Sequence, residues 1–423
     1  MLTLKCDTRD AITELQMIIE SNSSTTVTLA GKKYLYFGGT NYLGLAHRPE
    51  LLRAASAAFH NYGFSAGASR LTSGENTLIL ALESELANFG RSAEALVVPS
   101  GFMANTAVVD GIDELVDAYV VQKQAHGSIT AAVSKSRKPV IQDDFDFGPY
   151  TDANSSDRSS DRSYDRSYDR SYDNSSGNNS ARSFNNSSDR RSFRERHGLS
   201  AHTRLCIFAE PIDVMSGKLL NVPALLDAAN SNDFIVLDEA HSFGVLGENG
   251  VGAKQHFKID RPDTLIRTGT FSKAMGCYGG FILGNKSIID AVKLHSSSYK
   301  SSTPLSPVLC AAARESLLLI VEDAENTIQA LQLNIASFNR KLTEAGVGEF
   351  LGNSVPIYHL RNSPAVAKLR EVLPQQGIYV PTVTSYFADF CEIGLRWTIQ
   401  AGHAEEDFER LIAVITEPYS RRP

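Results

Sequence analysis

Five short apolar runs constrain this chain most: Ala95-Leu-Val-Val98, Ala118-Tyr-Val-Val121, Leu205-Cys-Ile-Phe-Ala209, Phe234-Ile-Val-Leu237 and Gly280-Phe-Ile-Leu283. None shows the polar alternation of a half-exposed strand. Each therefore reads as a strand covered on both faces, as in a mostly parallel sheet. Helical spacing surrounds them, over Pro49 to Tyr62 and over Asn76 to Phe89, where Leu78, Leu82, Leu86 and Phe89 share one side. Strands alternating with helices predict an α/β fold. After about Ser297 the pattern changes. A long helical region, Pro304 to about Ala345, leads into short strands and a final helix, Glu405 to Thr416. That predicts a smaller C-terminal α+β domain. The expected division is an N-terminal segment (1–40), a large domain (41–296) and a small domain (297–423).

A chain of 423 residues is long enough for two or three packed units. With 42% hydrophobic and 21% charged residues it has ordinary globular composition. Its formal net charge of −7 argues against a nucleic-acid surface. The five cysteines, Cys6, Cys206, Cys277, Cys310 and Cys391, are scattered without metal-ligand spacing, which suits a reducing compartment. No apolar run has the length of a membrane span or signal peptide, so the expected location is cytoplasmic and no membrane span is expected.

Thr151 to about His197 stands apart. It is rich in Ser, Asp, Asn and Arg and carries a tandem repeat, Asp161-Arg-Ser-Tyr, Asp165-Arg-Ser-Tyr, Asp169-Arg-Ser-Tyr. With no aliphatic residue from Asn154 to Ser180 it cannot offset its ordering entropy, and it reads as a disordered insertion in the large domain. A phosphorylatable or partner-binding segment is the alternative.

The chemistry lies in two motifs. Thr268-Gly-Thr-Phe-Ser-Lys-Ala-Met-Gly-Cys-Tyr-Gly-Gly280 sets Lys273 among hydroxyls and glycines. Val236-Leu-Asp-Glu-Ala-His-Ser242 ends an apolar strand on Asp238, where α/β sheets place ligands. An amine, an acid, hydroxyls and closely approaching backbone are the parts that hold pyridoxal 5'-phosphate as a Schiff base. Separately, each has a plainer reading: a surface lysine in a glycine-rich loop, and a strand-end acid that caps the next segment. Ser100-Gly-Phe-Met-Ala-Asn105 follows the run ending at Val98, and a strand, Ser-Gly and helix start can cradle phosphate.

These residues resemble the α-oxoamine synthases, fold-type I pyridoxal phosphate enzymes that include 8-amino-7-oxononanoate synthase, serine palmitoyltransferase, 5-aminolevulinate synthase and glycine acetyltransferase. Matches to the family pattern run in order along the chain: Asn41-Tyr-Leu-Gly-Leu45, Gly67-Ala-Ser-Arg-Leu-Thr-Ser-Gly74, Ser100–Asn105, His126-Gly-Ser128, the Asp238 and Lys273 motifs, Ser302-Thr-Pro-Leu305, and Leu395-Arg396 with Gly402-His403. The resemblance implies a mostly parallel central sheet in a large cofactor-binding domain. It makes Lys273 the Schiff-base lysine and Cα proton carrier, and pairs Asp238 with the ring nitrogen. His241 would bond the ring oxygen and His126 would stack on the ring. Gly101, Phe102, Thr270 and Ser272 would hold the phosphate. Thr303 would reach the partner protomer's cofactor, which implies a homodimer with shared active sites. Asn41 and Arg396 would orient the amino acid, Arg396 as a fork on its carboxylate. The implied reaction is decarboxylating condensation of an amino acid with an acyl-CoA to give an aminoketone.

The pattern departs from the family at three places: the usual His-Asn-Asp before the Glu210 segment is absent, with Asp143-Asp144 in its position, and two single residues differ. Ile79 stands where the family has histidine, and in Glu210-Pro-Ile-Asp-Val-Met-Ser-Gly217 the family's serine is Val214. Two competing readings are a pyridoxal phosphate aminotransferase or lyase, and a non-catalytic subunit of a heterodimeric synthase. The latter kind of subunit lacks the lysine.

Overall fold

The computed structural model describes residues 18–148, 150, 193–348, 352–384 and 393–417. The Ser/Asp/Arg/Tyr repeat lies outside the described residues, as do Cys6 and Cys391. The chain opens with an antiparallel ribbon, β1 (Ile19–Asn22), β2 (Thr26–Leu29) and β3 (Lys32–Tyr36). A seven-stranded sheet follows, made of β4 (Glu94–Val98), β5 (Ala118–Gln122), β6 (Val140–Asp143), β7 (Leu205–Ala209), β8 (Phe234–Asp238), β9 (Leu265–Thr270) and β10 (Gly280–Gly284). Its spatial order is β4-β10-β9-β8-β7-β5-β6. Strands β5 to β9 pair in parallel, and β10 runs antiparallel to both its neighbours.

The unbroken apolar runs have a simple cause. Successive side chains of a strand point to opposite faces, and both faces here are packed. Ala95, Val97, Val120, Ile207 and Ile235 join one apolar cluster, while Leu96, Val98, Tyr119, Phe208 and Val236 join the other. Fully burying each large side chain contributes about 1.5–3 kcal/mol. Helix Gly101–Ile112 covers the second face, and helices Thr77–Phe89 and Pro307–Glu322 pack over the first.

Two predicted helices, Pro49–Tyr62 and Glu405–Thr416, appear with the expected bounds. Asn76 turns out to be the N-cap of helix Thr77–Phe89, accepting from the Ile79 N–H at 3.1 Å. The long region read from Pro304 to Ala345 is two helices, Pro307–Glu322 and Ile328–Glu344. The break comes at Thr327, whose φ of −120° and ψ of −93° are not helical.

The C-terminal part holds β11 (Ile357–Leu360), β12 (Ile378–Tyr379), β13 (Thr382–Thr384) and β14 (Ile393–Thr398). Strands β11, β14 and β13 form a separate antiparallel sheet, and β12 joins the N-terminal ribbon beside β3. No helix among the described residues is long and apolar enough to cross a membrane. The strand order leaves the carboxyl ends of β5, β7, β8 and β9 side by side, and the polar residues that follow them converge there.

Candidate active site

A cavity of about 230 Å³ opens at that edge. It is lined by Gly101, Phe102, His126, Asp238, His241, Thr270, Ser272 and Lys273, all expected from sequence, together with Ser128 and Glu210. Eight residues scattered from position 101 to 273 thus meet in one place.

Asp238 ends β8 and is buried. Its Oδ1 accepts from the Ala240 N–H at 3.0 Å, and its Oδ2 accepts from Asn105 Nδ2 at 2.8 Å. Asn105 is itself fully fixed. Its Oδ1 accepts from the Thr268 hydroxyl at 2.7 Å, and its Nδ2 lies 2.9 Å from Ser128 Oγ. Ser128 continues the chain to His126: its Oγ is 2.8 Å from Nδ1, and its N–H donates to Nδ1 at 3.2 Å. The acid and the histidine expected to stack on a ring are therefore held by one connected network. Burial holds the His126 imidazole below its usual range.

Glu210 follows β7 and accepts from the His126 backbone N–H at 2.8 Å. Burial, and then the nearby Asp238 charge, push its carboxyl up to about 8. Burial and the neighbouring carboxylate thus both disfavour a charge on Glu210, as expected for an acid in a desolvated site.

Lys273 sits in the loop between β9 and β10. Its Nζ lies 2.9 Å from His241 Nε2, while His241 Nδ1 lies 2.8 Å from the Tyr42 hydroxyl. Burial, assisted by Arg396, pulls the Lys273 amine down to about 8. The nearby Asp238 and Glu210 charges act in the opposite direction. Burial and then Lys273 hold His241 well below its usual range.

Another part of the cavity lining suits an anion. Ser100 caps helix Gly101–Ile112, its Oγ accepting from the Met103 N–H at 3.3 Å. That leaves the Gly101 and Phe102 N–H groups without intrahelical partners, at the positive end of a helix dipole. Thr270 Oγ1 and Ser272 Oγ stand 2.8 Å apart beside them. Glycine is required where these segments meet: a Cβ on Gly101 would come within 2.9 Å of Thr270 Cβ, and one on Gly280 would overlap the Ser100 carbonyl carbon.

Three expected residues stand outside this lining. Arg396, on β14, donates from Nε to the Val214 carbonyl at 2.8 Å, which gives the departure at Val214 a backbone role. The Arg396 Nη2 is buried without a partner among the described residues, and so is Asn41 Nδ2. Asn41 Oδ1 accepts from the Ala46 N–H at 3.2 Å. Buried donors left unpaired cost about 1–3 kcal/mol each, which a ligand oxygen would recover. Thr303 is exposed, between helices Ser297–Ser301 and Pro307–Glu322. Ile79 is fully buried in the apolar core.

Sequence reasoning assigned no role to Asn105, Ser128, Glu210 or Tyr42, although all four fall in or beside motifs it singled out. Asn105 carries a signal that could have been used: an amide in the helix sequence Ala104-Asn-Thr-Ala-Val-Val109 must find partners inside the core.

A family model for aminotransferases of class I and II matches residues 195–415, more than half of the chain. The chain belongs to that family. The matched stretch holds Asp238, His241, Lys273 and Arg396. Among curated members, an 8-amino-7-oxononanoate synthase of Geobacter sulfurreducens is 29% identical over 406 residues, covering 94% of this chain and 92% of the relative. One of Petrotoga mobilis is 29% identical over 396 residues, covering 92% and 90%. Among solved structures, a Sphingomonas wittichii serine palmitoyltransferase superposes with a TM-score of 0.78 at 20% identity, covering 98% of this chain and 97% of that one. A Francisella tularensis 8-amino-7-oxononanoate synthase gives 0.68 at 21% identity, covering 92% and 98%. The family member described here therefore has the fold-type I architecture expected from its sequence.

Proposed function

We propose that this protein is a pyridoxal 5'-phosphate-dependent acyltransferase of the α-oxoamine synthase type. It would condense an amino acid with an acyl-CoA, releasing carbon dioxide and free CoA and leaving an aminoketone. One observation carries the reading: Lys273, Asp238, His241 and His126 converge on a cavity that also takes in a helix N-terminus flanked by hydroxyls. The donor set suits a phosphorylated aromatic aldehyde, with an amine for the carbonyl, an acid for the ring nitrogen and N–H and hydroxyl groups for the phosphate. The near-full-length likeness to 8-amino-7-oxononanoate synthases supports this acyl transfer over transamination.

Bound pyridoxal phosphate supplies the electron sink for the substrate carbanion. The protein supplies the rest. Lys273 would hold the aldehyde carbon through Nζ and, once the amino acid displaces it, take the Cα proton. Its lowered proton affinity suits both tasks, since each needs the free amine. Asp238, held between Asn105 and the Ala240 N–H, would keep the ring nitrogen protonated. His126 would cover one ring face and His241 would bond the ring oxygen. Gly101, Phe102, Thr270 and Ser272 would bind the phosphate.

Arg396 and Asn41 would orient the amino acid carboxylate with the donors that lack partners. The exposed Thr303 supports a homodimer in which it reaches the partner's phosphate. The three described cysteines, Cys206, Cys277 and Cys310, are free, which fits a cytoplasmic setting.

The test is to add an amino acid and an acyl-CoA to the pyridoxal phosphate-loaded protein. Release of thiol and carbon dioxide is expected, together with at least about a 10³-fold loss of rate in Lys273→Ala. Keto-acid formation without thiol release would assign the protein to aminotransferase chemistry. A protein that shows no Schiff-base absorbance, with nothing changed spectroscopically in Lys273→Ala, would favour the non-catalytic subunit.

A further inference from the structure

Tyr42 lies outside the cavity lining, yet it touches the side chain that, among the described residues, hydrogen-bonds the lysine amine. Its hydroxyl is 2.8 Å from His241 Nδ1, and His241 Nε2 is 2.9 Å from Lys273 Nζ. Tyr42 is fully buried and His241 nearly so. We propose that Tyr42 is a positioning residue whose hydroxyl fixes the His241 proton on Nε2, so that the imidazole donates toward Lys273 and favours its free amine. This rests on the reading of Lys273 as the residue that captures the cofactor aldehyde.

The reasoning is a count of donors and acceptors. A neutral imidazole has one N–H and one lone pair. Burial keeps His241 neutral. The Arg396 cation lies near Tyr42, and a positive charge on that side turns the phenol oxygen toward it and the phenol proton toward His241 Nδ1. The remaining imidazole proton then sits on Nε2. Facing an N–H donor, Lys273 Nζ must offer a lone pair, which only the free amine has. The other charged groups that face Lys273 are Asp238 after β8 and Glu210 after β7, which favour the ammonium, and Arg396 of β14, which opposes it. His126 also senses the Lys273 charge.

Capture needs the lone pair: the Nζ–carbon bond forms, and the aldehyde oxygen leaves as water with the amine's two hydrogens. Without the Tyr42 hydroxyl, His241 is free to carry its proton on Nδ1 and turn a lone pair toward Lys273. That arrangement accepts from the ammonium, so the amine holds its proton to higher pH.

Two measurements on the full-length chain, freed of bound aldehyde, test this. Nitrogen-15 NMR of labelled histidine reads the tautomer of His241 in the wild-type protein. The Nε2–H form is expected, and the Nδ1–H form overturns the proposal. The second measurement follows the capture of added pyridoxal 5'-phosphate by absorbance as a function of pH. Tyr42→Phe should move the midpoint up by about one unit and slow capture at pH 7 about tenfold. An unchanged midpoint overturns the proposal, because a merely structural loss would lower the amplitude and leave the midpoint in place. Should the variant fail to fold, the wild-type tautomer decides alone. A wild-type protein that captures no aldehyde at any pH sinks the proposed function, whereas the tautomer still decides the part played by Tyr42.

Discussion

Asp238 and Glu239 are neighbours in sequence and point into different regions of the molecule. Asp238 faces the cavity, and its hydrogen bonds come from neutral donors, Asn105 Nδ2 and the Ala240 N–H. Glu239 is completely buried and faces Arg267 of β9, with Nε to Oε1 at 2.7 Å and Nη2 to Oε2 at 3.1 Å. The Ala253 N–H also donates to it at 3.3 Å. The comparison separates two uses of one functional group. Glu239 has an internal cation and hydrogen bonds for both oxygens, so it ties β8 to β9 and has no capacity left for a ligand. Asp238 is oriented by neutral donors, which leaves it able to pair with a cationic group in the cavity.

The largest expected effect would break or uphold that distinction directly. Glu239→Gln removes half of a buried ion pair and leaves the Arg267 charge uncompensated, a loss of about 3–5 kcal/mol. Thermal unfolding should fall by many degrees. Asp238→Asn should unfold close to wild type and lose about 10²-fold or more in turnover together with cofactor affinity. The reverse outcome, an unstable Asp238→Asn and a stable Glu239→Gln, would show that the roles were assigned the wrong way round.

A medium effect sharpens the view of Asp238 as an oriented acid. Asn105→Ala removes its side-chain donor and strands the Thr268 hydroxyl, at a cost of about 1–3 kcal/mol in stability. Turnover should drop about tenfold, and cofactor affinity should fall with it. If affinity and turnover stay at wild-type levels, Asp238 needs no such support.

The smallest expected effect lies on the substrate side. Arg396→Lys keeps the charge but loses the planar fork, so KM for the amino acid should rise about tenfold while the cofactor absorbance is unchanged. A change in absorbance without a change in KM would move Arg396 from the substrate to the cofactor.

Much of the fold was legible because the central strands are buried on both faces, which writes them as continuous apolar runs. The two strands of the seven-stranded sheet that were missed show the limit of that signal. β6 lies at the sheet edge and is largely exposed, so Val140-Ile-Gln-Asp143 has no apolar run. β9 is buried, but Arg267 and Thr268 interrupt its hydropathy, and their partners Glu239 and Asn105 come from elsewhere in the chain. A buried polar residue looks like a surface residue until its partner is known.

By itself, the sequence determined the alternation of strands and helices and the residue types at the site, because these depend on periodicity and local motif. It also placed Lys273, Asp238, His241 and His126 in one reading, through their resemblance to a family pattern. Only the tertiary structure decided which polar groups meet. It joined Asp238 through Asn105 and Ser128 to His126, and set Tyr42 behind the histidine that faces Lys273. It also gave Glu239 an ion pair with Arg267 and gave Asp238 neutral hydrogen-bond donors. The physical reason is range: propensity and hydropathy act over a few residues, whereas the charge state of a buried group is set by partners that only chain crossovers bring within about 3 Å.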